Sequence, residues 1–436
     1  MKGLERMKRC FAFLFALFLV AGLAACGAEN EAPLEATPAP SPVVTETPEQ
    51  IPALPTLTIG ALFTLSGDGH IIGEAQLNAM RLWLDERDWQ IGSYHVVLNY
   101  RDDGGSAETA LAEAQALIET GADLLFGGHL ASAGYAIGEA AVTAGIPYII
   151  PVAAGDDMTQ RRRQDLLIRT GSSSSQATHP FGYWAHHTRG LQSVGIIAVD
   201  NALGHGSVAG FRRTFEEAGG EVLGVPMWVP SGTSDFVPFL QQIPYEIDAL
   251  FIQFEGEYAR RILEAVHSMN RGDIILLGGT TTTDALILNQ LTGDAALGIY
   301  SASAWLDDAS FYAMESYAAM EFLEATILQA GGFVNNLEAF LAAIRTIEVE
   351  TLKGNIYLDE WNNPVQDVHI RRVENVDGRL LNAHVYTFPM VSQFWHYDPA
   401  EFLALPMYDR DFHTAAHNYL LDALRQALRE LAEAGK

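Results

Sequence analysis

Cysteine is nearly missing from this chain: 436 residues contain two, Cys10 and Cys26. Cys10 falls in an N-terminal stretch that reads as a removed leader. The mature chain then keeps one thiol, which excludes a disulfide and a cysteine-based metal site. Basic residues are scarce as well. Twenty-six Lys and Arg stand against 54 Asp and Glu, a net charge of −28, the reverse of what binding to nucleic-acid phosphates requires. The sequence also lacks a G-x-x-x-x-G-K-[ST] loop and a G-x-S-x-G elbow, so neither nucleotide cradle nor serine nucleophile is offered. His186 and His187 are adjacent on a helical pattern and point about 100° apart, poor geometry for one metal. No enzyme activity, metal or cofactor is expected.

The first residues are a targeting signal. Lys2, Arg6, Lys8 and Arg9 precede the apolar run Phe11–Leu23, and Leu23-Ala24-Ala25-Cys26-Gly27 follows. That run is short for a membrane span, and its end has the pattern of a bacterial lipobox. Residues 1–25 are read as a lipoprotein signal peptide and Cys26 as the lipidated residue. The alternative reading leaves Cys26 an ordinary residue near a cleavage site. Residues 26–56, rich in Pro, Ala, Glu and Thr, read as a disordered tether. The chain is expected outside the cytoplasm, held to the cell membrane by lipid.

What remains has 49% hydrophobic residues over the whole chain and suits two domains. Two sets of short strands alternate with helices, spaced about 25 to 40 residues apart as βαβ units require. The first set is Leu57–Leu62, His95–Tyr100, Leu124–Phe126 and Ile146–Ile150; the second is Val194–Val199, Glu221–Val225, Ala249–Gln253 and Ile274–Leu277. Helices are expected at Gln76–Asp88, Ala107–Thr120, Ala133–Ala144, Gly206–Ala218 and Tyr258–Met269. Further on, helices are expected at Phe311–Gly331 and Leu337–Thr346, and strands at Gly354–Leu358, Val368–Val373 and Ala383–Phe388. A last amphipathic helix runs from about Asp411 to Ala434. The fold class is α/β, with two Rossmann-like lobes whose loops face each other across a cleft.

The stretch from Ala122 to Gly155 shows how such a cleft would bind. Gly127 and Gly128 turn the chain after a strand, Ser132 stands at the start of the next helix, and Val152-Ala153-Ala154 follows the next strand. A hydroxyl and free N–H groups at a helix N-terminus suit an anionic group. Gly204-His205-Gly206-Ser207-Val208-Ala209-Gly210 has its third glycine one position late for a dinucleotide fingerprint and reads as an eased strand-to-helix turn. The serine run Ser172–Ser175 reads as a flexible crossover between lobes.

Taken in order, IGALFTLSGDGHIIG, GG-x-x-x-S at Gly127–Ser132, GIPYIIPVAAGDDMT, IIAVDNALGHG, TGDAALGIY and LKGNIYLDEWNNPVQD resemble the extracytoplasmic solute-binding proteins of branched-chain-amino-acid ABC importers. These form the Leu/Ile/Val-binding group, of the type I periplasmic-binding-protein fold. The resemblance covers about Leu57 to Gly378. It implies open, mainly parallel sheets in two lobes joined by three crossovers, closing on a small molecule that is handed to an ABC permease. The implied division is 57–176 with 302–350 for lobe 1 and 177–301 with 351–396 for lobe 2, residues 397–436 standing apart. The ligand would be an amino acid or a related carboxylate or amide. Implied contacts are Ser66, Gly128, Ser132, Ala153 and Ala154 in lobe 1 and Leu203, Glu255 and Thr281 in lobe 2. Three positions depart from the pattern. Ala154 stands where a Thr is common, Leu203 replaces an aromatic, and Thr280–Thr283 offers no acid for a ligand ammonium, leaving Glu255 or Glu257 for that part. The alternative function is a lipoprotein that presents its bound state to a membrane sensor or chemoreceptor. Nothing in the sequence predicts an oligomer, so a monomer is expected.

Overall fold

The computed structural model describes residues 54–404, apart from 292, 307–308 and 334–335. Cys26, the leader, most of the tether and the expected helix Asp411–Ala434 lie outside the described residues.

The first sheet holds β1 (Thr56–Phe63), β2 (Gln90–Ile91), β3 (Tyr94–Asp102), β4 (Leu124–Gly127), β5 (Tyr148–Ile150) and β6 (Leu167–Arg169). Their order is β2-β3-β1-β4-β5-β6, parallel throughout except for the β2–β3 pair. Helices α1 (His70–Asp85), α2 (Ala107–Glu119) and α3 (Ala131–Ala144) connect the strands. The apolar run of β1 is buried on both faces, as a parallel strand covered by helices must be. Leu57, Ile59, Ala61 and Phe63 enter one core with Met80 and Trp83 of α1. Leu62 enters the other, with Ala110 and Ile137.

The second sheet repeats the plan with β7 (Ser193–Val199), β8 (Glu221–Val222), β9 (Met227–Val229), β10 (Ala249–Gln253), β11 (Ile275–Gly278) and β12 (Tyr300–Ser303). Helices α4 (Thr178–His187), α5 (Ala202–Glu217) and α6 (Gly256–Ser268) cover it. Along β10, Leu250 and Ile252 pack on one face and Ala249 and Phe251 on the other. The chain then returns through α7 (Phe311–Ala330) and α8 (Leu337–Ile344) to β13 (Glu348–Thr351), β14 (Gly354–Leu358), β15 (Pro364–Val376) and β16 (Arg379–Val391). The second sheet runs β13-β14-β15-β12-β11-β10-β7-β8, with β16 on β15 and β9 on β7. Crossings between lobes fall after β6, after β12 and between β14 and β15. Ile356 and Leu358, which a division at residue 350 assigns to lobe 2, pack in the first lobe's core, because β14 folds back antiparallel on β13.

Several expected boundaries shift for local reasons. Helix α1 starts at His70, not Gln76, because a tight turn over Gly67–Gly69 leads straight into it and buries Ile72. Strand β8 stops at Val222, two residues before Gly224 takes a φ of 76°. The strands β6, β9 and β12 were too short to stand out in the sequence. The crossover Ser172–Ser175 is not a flexible loop: all four serines are buried. Ser174 Oγ donates to the Ala154 carbonyl at 2.7 Å, and the Ser175 N–H donates to Asp156 Oδ1 at 3.0 Å.

Candidate functional site

In each sheet the strand order reverses once, between β1 and β4 and between β7 and β10. Ligands of open α/β sheets bind outside the carboxyl ends of the strands at that switch point. The loops after β4, β5, β7, β10 and β11 meet there, around a cavity of about 230 Å³.

Local sequence explains how each loop arrives. A Cβ at Gly127 would lie 2.2 Å from the Leu62 carbonyl oxygen, and its φ is 107°, so only glycine lets β4 turn against β1. Helix α3 then begins at Ala131, two residues earlier than expected, with Leu130 as N-cap and no side-chain cap. The first-turn N–H groups therefore remain available to a ligand. Ser132 sits inside the first turn rather than ahead of it. Helix α5 is capped by Asn201, whose side chain accepts from the Gly204 N–H. The glycines of α5 serve packing: a Cβ at Gly204 would sit 1.9 Å from the Val199 carbonyl oxygen, and one at Gly206 would sit 2.6 Å from Ser174 Cβ. That close approach brings Ala202 and Leu203 to the cavity opposite the serine crossover.

Five of the eight expected residues line the cavity: Ser132, Ala154, Leu203, Glu255 and Thr281. Ser132 is the most exposed of them. The other three lie elsewhere. Ser66 precedes the turn Gly67–Gly69 as its N-cap. Gly128 is not in the lining, and its backbone is engaged elsewhere: its N–H donates to the Leu62 carbonyl at 2.8 Å and its carbonyl accepts from Gln76 Nε2 at 3.5 Å. Ala153 is buried and faces Gly134 of α3. Glu257, the other acid considered, pairs with Arg260 on its own helix and is not part of the lining.

The residues that sequence reasoning missed form the deepest part. His129 Nε2 and Glu255 Oε2 are 3.0 Å apart, with side chains 5% and 14% exposed. This hydrogen-bonded contact joins the lobes. Burial disfavours a charged imidazole, but the charge and hydrogen bond of Glu255, helped by Asp103, outweigh it and raise the His129 pKa. The Tyr312 ring packs edge-on against His129 at 6.0 Å, its phenol pushed far up by burial and by the negative charges of Glu255 and Asp284. No local pattern links residues 126 positions apart, so only a signal from the partner strand ends could have paired them.

The threonine run after β11 is a structural turn. Thr281 Oγ1 donates to the Phe254 carbonyl at 2.8 Å and accepts from Gln253 Nε2 at 2.9 Å. Thr282 Oγ1 donates to the Ile252 carbonyl at 2.9 Å, and Thr283 Oγ1 donates to Ser301 Oγ at 2.8 Å. Beneath it, the buried Arg371 donates to the Trp305 carbonyl at 3.0 Å and to Thr283 Oγ1 at 3.3 Å. Burial lowers its pKa to about 10, against the pull of Asp284. The turn and the second crossover are thereby fixed to one cation. No cluster of acids, histidines or cysteines that could hold a metal occurs among the described residues.

Comparison with known proteins agrees with this architecture. A family model described as "Periplasmic binding protein" matches residues 56–311. The Leu/Ile/Val-binding protein homolog 3 of Brucella melitensis is 22% identical over 326 residues, covering 70% of this chain and 87% of that protein. Among solved structures, an ABC transporter substrate-binding protein from Sphaerobacter thermophilus is similar at a TM-score of 0.73 and 28% identity, over 78% of this chain and 99% of its own. A solute-binding protein of an ABC transporter from Rhodopseudomonas palustris BisB5, in complex with 3,4-dihydroxybenzoic acid, shares the fold at a TM-score of 0.73. It is 24% identical over 78% of this chain and 98% of its own. These relatives are binding proteins, not enzymes. With two doubly wound lobes meeting at one cavity and the family match spanning most of both, the chain belongs to the periplasmic binding protein family.

Proposed function

We propose that the protein is a lipid-anchored extracytoplasmic solute-binding protein of an ABC importer. It captures a small polar or amphipathic solute, an amino acid or a related carboxylate or amide, by closure of its lobes. The observation that carries this reading is the cavity at the two switch points, lined from both lobes, where the uncapped N-terminus of α3 and the inter-lobe His129–Glu255 contact meet. Ser132, Ala154, Leu203, Glu255 and Thr281 are the proposed contacts. A solute touching both sides stabilises the closed arrangement by its differential affinity for it. The lipid on Cys26 holds the protein at the membrane beside its permease, and the acidic tether spaces it from the surface.

The test is thermal unfolding of the protein from Ala28 onward against amino acids, amides, aliphatic carboxylates and aromatic acids. A solute present at 100 times its dissociation constant stabilises by about 2.7 kcal/mol, a shift of roughly 5–10 °C for lobes of this size. A panel without any shift at millimolar concentration refutes the small-solute reading.

A further inference from the structure

Of the residues that line the cavity, the described charged ones are His129 and Glu255, and each is spent on the other. Glu255 is the single acid of the lining. Its carboxylate accepts from a histidine whose ring packs edge-on against Tyr312 of lobe 1, with the Asp103 charge adding to the field around it. Several hydroxyls around the pair are also committed, while His129 Nδ1, Ser173 Oγ and the Tyr312 hydroxyl are buried without a partner and open to a solute's polar atoms. Thr281 Oγ1 bonds Phe254 and Gln253, Ser174 Oγ donates to Ala154, and Ser172 Oγ accepts from Gln366 Nε2 at 2.7 Å. An ammonium group entering this cavity meets no unpaired anion and the positive ends of α3, α5 and α6. A carboxylate entering it meets the uncapped first turn of α3 and an imidazole whose charged form Glu255 favours.

Resting on the binding reading above, we propose that His129 is the specificity-determining residue of the site. By occupying Glu255 it makes the cavity select carboxylates that lack an α-ammonium group over the amino acids of the same skeleton. The pair spans both lobes, so it forms as the lobes close and the selection is exerted in the closed arrangement.

Calorimetric titration of the protein with two matched pairs tests this: 4-methylpentanoate against L-leucine, and 3-phenylpropanoate against L-phenylalanine. The wild-type protein is expected to bind the ammonium-free member at least tenfold more tightly in whichever pair fits the cavity. In His129→Gln the freed carboxylate moves that ratio at least tenfold toward the amino acid, and adding Glu255→Gln removes the gain. Wild-type preference for the amino acid, or equal affinity within a pair, overturns the proposal while leaving a binding protein intact. An unchanged ratio in a folded His129→Gln overturns the role of His129. Binding of none of the four compounds overturns the carboxylate reading of the cavity, and this inference with it. The wild-type comparison needs no variant to fold.

Discussion

Lys353→Met isolates a buried charge at the hinge, and its consequence follows from the geometry. Lys353 Nζ donates to Glu315 Oε2 at 2.5 Å and to the Thr170 carbonyl at 2.8 Å, with both side chains 1% exposed. The three residues come from α7, the β13–β14 turn and the first crossover. Burial raises the Glu315 pKa, and the Lys353 charge and hydrogen bond oppose that rise. Removing the ammonium while keeping the apolar stem leaves the carboxylate buried without a counter-charge, a loss of about 3–5 kcal/mol. The carboxyl escapes part of that cost by taking up a proton, because its folded pKa climbs further. Between the ordinary glutamate value of about 4.3 and the raised folded value, the native state holds a proton that the unfolded state lacks. Stability therefore falls as pH rises through that window, by at most about 1.4 kcal/mol per pH unit.

Urea unfolding of Lys353→Met and of Glu315→Leu/Lys353→Met between pH 5 and 8 gives the measurement, the difference between the two cancelling every other titrating group. The single variant is expected to lie furthest below the double variant at pH 8 and to approach it at pH 5. The double variant itself recovers most of the loss, since a well-packed apolar pair replaces a buried ion pair with little penalty. A pH-independent difference, or a single-variant loss under about 1 kcal/mol at pH 8, refutes the assignment of the pair as a buried ionic contact.

Ser132→Ala is expected to weaken solute binding by roughly 1–3 kcal/mol, the range for one hydrogen bond to a charged group, with the melting temperature of the free protein unchanged; unaltered affinity in a titration removes Ser132 from the site. Gly204→Ala forces a methyl against the Val199 carbonyl, 1.9 Å away, and is expected to cost about 1–3 kcal/mol in urea unfolding, whereas Gly272→Ala, with open space around it, stays within about 0.5 kcal/mol. Equal stabilities of these two variants contradict the close packing of α5 on its strand.

Much of the scaffold was legible because its signals are local. Strand runs bounded by glycines, the amphipathic stretches of α1 and α6, and the doubled βαβ rhythm all depend on neighbours within a few residues. The glycine turn at Gly127–Gly128 was readable for the same reason: a left-handed φ leaves its mark on residue type. Length worked against the rest. Strands of three or four residues, such as β6 and β9, carry too few positions to show a period.

The site divides along a similar line. The sequence by itself determined that two lobes would present strand-end loops to a common cleft, and which loops those would be. The resemblance to the Leu/Ile/Val-binding group, carried by its motifs, pointed to Ser132, Ala154, Leu203, Glu255 and Thr281, which the structure places around the cavity. Tertiary structure alone decided what these residues do. Glu255 and His129 become partners because two separate sheets bring their switch points together. The serines Ser172–Ser174 become a wall because a crossover passes beneath that junction, and the Thr281 and Thr282 hydroxyls are consumed by the backbone carbonyls of Phe254 and Ile252. Backbone geometry is set by short-range sterics and is written residue by residue. The pairing of charges in a desolvated cavity depends on distances between segments far apart in the chain, which no stretch of sequence carries alone.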